Sequence, residues 1–466
     1  MISEIKLENF RSIRKAEVTL SPLTIIIGAN GSGKSNLVKA LEFLASIPSS
    51  GLSLAVSRQG GRDGLMPKCI PAKEIGTHQV SFEYTKRLPS PTGKDESAPR
   101  HIDVHHSFGF SFRSNSRVSI NFESLKFDSV LYIGEILGRS KSTKSESDFP
   151  SNSGLASSFT ISHQGSASSY TASPSISEEN LTHYLNWLGL SRFKSTLKTA
   201  KELEKFLTYT LKFSGKDRSL ATISGPRANR GLYIDRGVAT ICDDARQFRA
   251  FLDYMEETRR YDLLLNELRK EQAPSDSPYL SKFGENLPAA LRKLSSDKVA
   301  YARLKSTFET IAPHIIGFSS KQLRTGKEFV EFEETGNGRG IESWETSDGS
   351  LRALAILVAI ETAQIGETII VEEPEQNLHP WAVRALLDHI REVISENSIQ
   401  VILTTHSEHV LERAFPEEVL VASRTPEEGT VYKRIRDIVT KGPIEMGEVG
   451  RLWVKGVLGG VPSAAF

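Results

Sequence analysis

The chain has 466 residues, a length that suits two to four domains of roughly 100–200 residues each. It is 38% hydrophobic and 25% charged, which excludes a disordered, collagen-like or disulfide-stapled chain. Lys+Arg 58 against Asp+Glu 57 leave a formal net charge of +1, so overall charge does not advertise a polyanion partner.

Two cysteines, Cys69 and Cys242, are too few for a disulfide framework and fit a reducing compartment. The opening Met1-Ile2-Ser3-Glu4-Ile5-Lys6 alternates polar and apolar residues and lacks the apolar core of a signal peptide. The longest purely apolar run, Ala353 to Ile360, falls far short of the roughly 20 residues that span a bilayer. The expectation is a cytoplasmic protein without membrane contact.

In chain order, 2–7 and 16–20 alternate with period two and 23–27 is almost wholly apolar, so three strands are predicted. A glycine-rich turn follows, then a helix over 36–44 with Leu37, Val38, Leu41 and Leu44 on one face. More strands are predicted at 79–84, 101–112, 118–122 and 130–133, completing an N-terminal lobe over 1–135. His101 and His105 share one face there, but without further ligands they do not make a metal site. Between Ser140 and Ser177 stand 15 serines in 38 positions, so 136–177 reads as a linker or surface loop. The region 178–316 reads as a helical insertion, with helical spacing from Leu197 to Leu211, a second helix over about 243–272 and one or two more over 286–316. Lys194 to Arg236 carries ten Lys/Arg against four Asp/Glu, which suits a solvated helix face or a nucleic-acid surface. No heptad persists long enough for a coiled coil. In the C-terminal lobe, 317–466, the stretches 329–333 and 341–345 flank a glycine-rich tip as a hairpin, and helix and strand then alternate as in a doubly wound sheet.

The strongest chemical signal is Gly28-Ala29-Asn30-Gly31-Ser32-Gly33-Lys34-Ser35, which fits G-x-x-x-x-G-K-[ST] between an apolar strand and a helix. Its glycines let backbone N–H groups turn toward a phosphate, and the helix N-terminus adds a favourable dipole. Lys34 can reach the β- and γ-phosphates and the Ser35 hydroxyl can ligate Mg²⁺. Thr368-Ile369-Ile370-Val371-Glu372-Glu373 is an apolar strand ending in two carboxylates. Glu372 is assigned to the Mg²⁺ shell and Glu373 to polarising the attacking water. Ser347-Asp348-Gly349-Ser350 opens a helix, either as an anion site or as a plain N-cap, and 399–406 is a strand ending in His406.

That order of motifs resembles the ABC-type ATPase heads of the SMC/RecF group, and more closely the OLD-like ATPases of bacterial anti-phage systems such as PARIS and Septu. Leu7-Glu8-Asn9-Phe10-Arg11-Ser12-Ile13 is similar to the group's opening motif, and Ser347-Asp348-Gly349-Ser350 to its signature. Glu372-Glu373-Pro374-Glu375-Gln376-Asn377-Leu378-His379-Pro380 resembles Walker B with its D-loop, and Thr405-His406-Ser407 the switch histidine. The fold implied is an α/β, ABC-type P-loop ATPase head, split in sequence by an inserted, mainly helical domain.

The resemblance also implies ATP and Mg²⁺ as cofactors and a homodimer or higher homo-oligomer in which two heads sandwich the nucleotide. The ATP-binding set is then Asn30, Gly31, Ser32, Gly33, Lys34, Ser35 and Asn36, with Arg11 near the phosphates. Ser35 and Glu372 hold the metal, Glu373, Lys34 and His406 are catalytic, and Ser347, Asp348, Gly349 and Ser350 act in trans. Two departures stand out: Glu372 replaces the more common Asp, as in the OLD-like branch, and His379 takes the usual D-loop Asp position. Gln59 and Gln79 are candidates for the Q-loop. OLD nucleases carry a TOPRIM domain after the ATPase, and the 60 residues after His406 are too few for one. The expected function is therefore an ATPase sensor and scaffold of anti-phage defence that controls a separate effector, a nuclease by class, in response to a phage-derived trigger. The alternative is a RecF-like repair ATPase that clamps DNA.

Overall fold

The computed structural model describes residues 1–67, 79–89, 101–112, 118–127, 158–164, 169–175, 201, 209–213, 232–233, 258–336, 339–425, 428–439 and 444–459. The chain divides into two compact units, one of Met1, 20–42 and 258–466 and the other of 2–19 and 43–257.

In the first unit the strands lie in the order Gly429–Arg434, Val419–Thr425, Leu23–Ile27, Gln400–Thr405, Thr368–Glu372 and Thr258–Tyr261. The first pair is antiparallel and every later pair is parallel. Leu23–Ile27 and Gln400–Thr405 are buried along their whole length, as parallel strands covered on both faces must be. The helix Asp348–Glu361 is buried from Ser350 to Glu361, so its lack of a polar face reflects a central position. Each fully buried Leu or Ile there contributes about 1.5–3 kcal/mol. Helices Leu287–Leu294, Lys298–Ile311 and Pro380–Asn397 complete the packing.

Register decides where the chemistry emerges. Thr405 pairs with Ile27 and Glu372 with Thr404, so three parallel strands end level with one another. The loops that follow them, at Gly28, Glu373 and His406, therefore leave from one edge, where ligands of open α/β sheets bind. A small antiparallel sheet, Ile315–Gln322, Glu328–Glu334 and Ile341–Glu342, contains the expected hairpin, with Phe332 opposite Ile341.

The second unit is antiparallel. Its strands run in the order Ile13–Thr19, Ile2–Phe10, Val80–Pro89, His101–Phe112, Val118–Phe127, Ser158–Gln164, Ser169–Ser175, Tyr209–Phe213 and Leu232–Tyr233. Phe82 stacks on Phe108 and Phe43 and meets Phe10 edge-on, with ring centroids 5.2, 5.4 and 5.4 Å apart.

Three local expectations change. Strands Ser158–Gln164 and Ser169–Ser175 occupy part of the serine-rich stretch, because an antiparallel ladder satisfies the backbone without large apolar side chains. Leu211, expected on a helix, lies in a strand opposite Tyr170. The helix expected over about 243–272 gives way at Thr258–Tyr261 to an edge strand parallel to Thr368–Glu372, followed by the short helix Leu265–Leu268. Tertiary pairing has overridden local spacing there. The predicted strand 130–133, both cysteines and most of the basic stretch 194–236 lie outside the described residues. Among the described residues no helix is long and apolar enough to cross a membrane.

Candidate functional site

The P-loop joins the buried strand Leu23–Ile27 to the helix Lys34–Ser50. Gly33 sits at φ +106, and a Cβ there would lie 2.3 Å from Thr430 Oγ1, so only glycine fits. Thr430 Oγ1 donates to the Ser32 carbonyl at 3.0 Å and Tyr432 Oη to the Gly33 carbonyl at 2.8 Å. The strand Gly429–Arg434 thus braces the loop from behind. Thr430 and Tyr432 carry no motif, and only the sheet order reveals them.

Lys34 Nζ donates to the Gly28 carbonyl at 2.7 Å and the Ala29 carbonyl at 3.3 Å, and lies 2.7 Å from His406 Nε2. Nδ1 of the same ring stands 3.4 Å from Nζ, and because an ammonium has only donors, the nearer Nε2 is the acceptor of the pair. Burial holds the Lys34 ammonium below its ordinary range, opposed by Glu373 and Glu372. Burial, and then the Lys34 charge, hold His406 down as well, consistent with a neutral ring.

Ser35 Oγ donates to Glu372 Oε2 at 3.5 Å. The other oxygen, Oε1, forms an ion pair with Arg260 Nε at 2.7 Å, and Arg260 also reaches Glu42 at 2.9 Å. Arg260 lies on the edge strand that spacing assigns to a helix, so sequence reasoning missed it. The hydroxyl and carboxylate oxygens of Ser35 and Glu372 are the hard donors that Mg²⁺ takes, and they converge as one small cation requires.

Glu373 follows at φ +47, an uncommon conformation for a side chain of its size. Its N–H donates to the Thr404 carbonyl at 2.9 Å, and its carboxylate lies 3.5 Å from His406 Nε2. Burial, reinforced by a hydrogen bond and repulsion from Glu375, pushes Glu373 up to about 8; His406 and Lys34 act against the shift. Thr405 Oγ1 donates to Glu375 at 2.5 Å, tying the carboxylate turn to the strand that ends in His406.

The signature turn is built as an N-cap. Ser347 Oγ accepts from the Ser350 N–H at 3.2 Å and lies 2.8 Å from Ser350 Oγ. Gly349 is pressed against the D-loop backbone, where a Cβ would meet the Asn377 carbonyl at 2.4 Å. Arg269 grips the turn from outside, bonding the Trp344 and Thr346 carbonyls at 2.6 and 2.7 Å and Asp348 Oδ1. His379 caps the helix Pro380–Asn397 by accepting from the Trp381 N–H at 3.3 Å, the task an Asp carboxylate performs at such positions.

The structure therefore brings Lys34, Ser35, Glu372, Glu373 and His406 together. Asn30, Gly31, Ser32 and Asn36 lie on the loop and the first turn of its helix. Ser347, Asp348, Gly349 and Ser350 open a different helix, Asp348–Glu361, within the same unit. Arg11 belongs to the other unit, at φ +54, with Nη2 donating to Gln59 Oε1 at 2.7 Å. Gln79 is also in that unit, its carbonyl accepting from Asn9 at 2.8 Å.

A glycine-rich loop at the end of a parallel strand, a strand ending in two carboxylates and a strand-end histidine between them define an α/β P-loop ATPase fold of the ABC type. The chain belongs to the family described as "AAA domain, putative AbiEii toxin, Type IV TA system", whose model matches residues 23–412. It is 38% identical over 69 residues to the DNA replication and repair protein RecF of Clavibacter michiganensis subsp. michiganensis, covering 14% of this chain and 17% of that protein. It is 32% identical over 123 residues to the energy-coupling factor transporter ATP-binding protein EcfA2 of Mycoplasmopsis synoviae, covering 24% of this chain and 38% of that one. The chain thus spans less than half the length of these curated relatives. A crystal structure of the SmcHead bound to the C-winged helix domain of ScpA aligns over 94% of this chain and 99% of its own, at 12% identity and a TM-score of 0.44.

Proposed function

We propose that the chain binds and hydrolyses ATP with Mg²⁺, and that it works as an oligomeric sensor and scaffold of anti-phage defence controlling a separate effector. The observation that carries the catalytic half is the convergence of Lys34, Ser35, Glu372, Glu373 and His406 at level strand ends. Lys34, with the P-loop N–H groups, receives the β- and γ-phosphates. Ser35 and Glu372 hold the metal, which neutralises phosphate charge. Glu373 in its ionised form polarises the attacking water, and His406 senses the γ-phosphate from the neighbouring strand end. The Ser347–Ser350 turn offers its helix N-terminus to the nucleotide of a second copy, which makes assembly part of the site.

The defence half is supported by the family's description, which names an AbiEii toxin and a Type IV toxin–antitoxin system. The alternative, an ATPase that closes on DNA, is favoured by the 69-residue match to RecF. Steady-state ATPase assays with and without duplex DNA separate the two, with Lys34→Ala as the blank. The sensor reading expects turnover that Lys34→Ala abolishes and DNA leaves unchanged, together with a partner protein that co-purifies from the native locus. Strong DNA stimulation that weakens with salt selects the clamp instead.

A further inference from the structure

We propose that Arg352 is a positioning residue that ties the signature helix to the backbone of the Walker B carboxylates. The Ser347–Ser350 turn and Glu373 then shift as one body. This rests on the reading of Glu373 as the group that polarises water.

Arg352 lies on the helix Asp348–Glu361, five residues after the capping Ser347, and only 6% of it is exposed. Its Nη2 donates to the Glu372 carbonyl at 3.3 Å and the Glu373 carbonyl at 3.1 Å, while Nη1 donates to the Leu263 carbonyl at 3.1 Å. Among the described residues it forms no ion pair with a carboxylate. That choice of partner is unusual for a buried cation, which ordinarily takes a carboxylate to offset its desolvation. Burial holds its guanidinium below its ordinary range.

The two carbonyls flank the Cα of Glu373, where the chain turns from extended strand into a positive-φ conformation. One face of that turn is held by the Glu373 N–H on Thr404, and the other by Arg352. The planar guanidinium sets one terminal nitrogen on the two successive carbonyls and the other on the Leu263 carbonyl, whereas an ammonium supplies a single charged point. The same helix meets the same turn a second time, where Gly349 touches the Asn377 carbonyl and Asn377 itself stands at φ +63. Two fixed points make a rigid link from the signature turn to the carboxylate.

Arg303 provides the control. It is half-buried beside the same helix, but it bonds the side-chain carboxylate of Glu361 at 2.6 and 2.7 Å, and among the described residues no hydrogen bond ties it to the Glu373 turn.

The test is ATP affinity, read with a fluorescent ATP analogue, beside single-turnover ATP hydrolysis. The full-length chain is compared with Arg352→Met, Arg352→Lys, Arg303→Met and Glu373→Gln. Arg352→Met is expected to bind nucleotide within about twofold of wild type yet hydrolyse it about 100-fold more slowly. Arg352→Lys is expected to fall between, and Arg303→Met to lower the melting temperature without changing the rate per folded molecule. A wild-type rate in Arg352→Met beside an inactive Glu373→Gln overturns the positioning role and leaves the role of Glu373 standing. Full activity in Glu373→Gln removes that role and the inference with it. Equal rate losses in Arg303→Met and Arg352→Met assign both effects to packing and overturn the proposal. Should Arg352→Met not fold, a wild-type rate in Arg352→Lys overturns it alone.

Discussion

The two units bury different things. The second is held by antiparallel neighbours and by a series of ring contacts through Phe10, Phe43, Phe82, Phe108 and Phe110, contributed by separate strands and a helix. The first is built on parallel strands and gathers more ionisable groups into its aliphatic core: Lys34, Arg352, Glu361 and His389 are each less than 8% exposed, against Lys86 and His106 among the described residues of the second. An aromatic cluster gains its stability from area buried and from offset or edge-on ring geometry, and needs no charged partner in place. A buried charge costs free energy unless its partners stand in place, so the first unit tolerates such groups only where register and helix position provide them.

The largest effect that tests this contrast lies in the aromatic unit. Phe82→Ala is expected to destabilise the protein by about 3–5 kcal/mol through lost transfer energy and the cavity left behind. ATP affinity of the folded fraction should stay at its wild-type value, as read by denaturant melts beside nucleotide titration. An equal loss of affinity would break the contrast.

Gly33→Ala should act the other way. Its φ of +106 and the Thr430 contact add about 1–3 kcal/mol of strain at the loop itself, up to roughly a 100-fold loss of nucleotide affinity. Unfolding of the aromatic unit, followed by hydrogen exchange at Val80–Pro89, should not change.

A graded effect comes from pH. Glu373 binds its proton more tightly in the folded protein, with a pKa near 8 against an ordinary 4.5. That contribution is complete below the unfolded value and is lost as pH rises through the folded one. Nucleotide-free protein should therefore lose thermal stability between about pH 5 and 8, and Glu373→Gln should flatten the loss. A slope identical in the variant would mean that the carboxyl is not held in this environment.

Several features were legible in the chain itself. Gly28 to Ser35 sits between an apolar strand and a helix, and the paired carboxylates end another apolar strand, so both site and fold class follow from local pattern. Ser347 as a helix cap was equally readable, because capping involves only neighbours in sequence. Arg260 was not, since Thr258–Tyr261 becomes a strand only by pairing with Thr368–Glu372. The strands at Ser158–Gln164 and Ser169–Ser175 were hidden by composition, because their stability lies in backbone ladders that side-chain identity barely records.

The sequence by itself determined the chemistry available: which side chains can meet a phosphate, a cation or a water, and that they belong to strand ends. Tertiary structure alone decided their partners: Arg260 on Glu372, Thr430 and Tyr432 behind the P-loop, Arg352 on the Glu372 and Glu373 carbonyls, and Lys34 against His406. The reason is that these contacts join residues tens to hundreds of positions apart, and parallel-strand register, which no local pattern encodes, sets which ones meet.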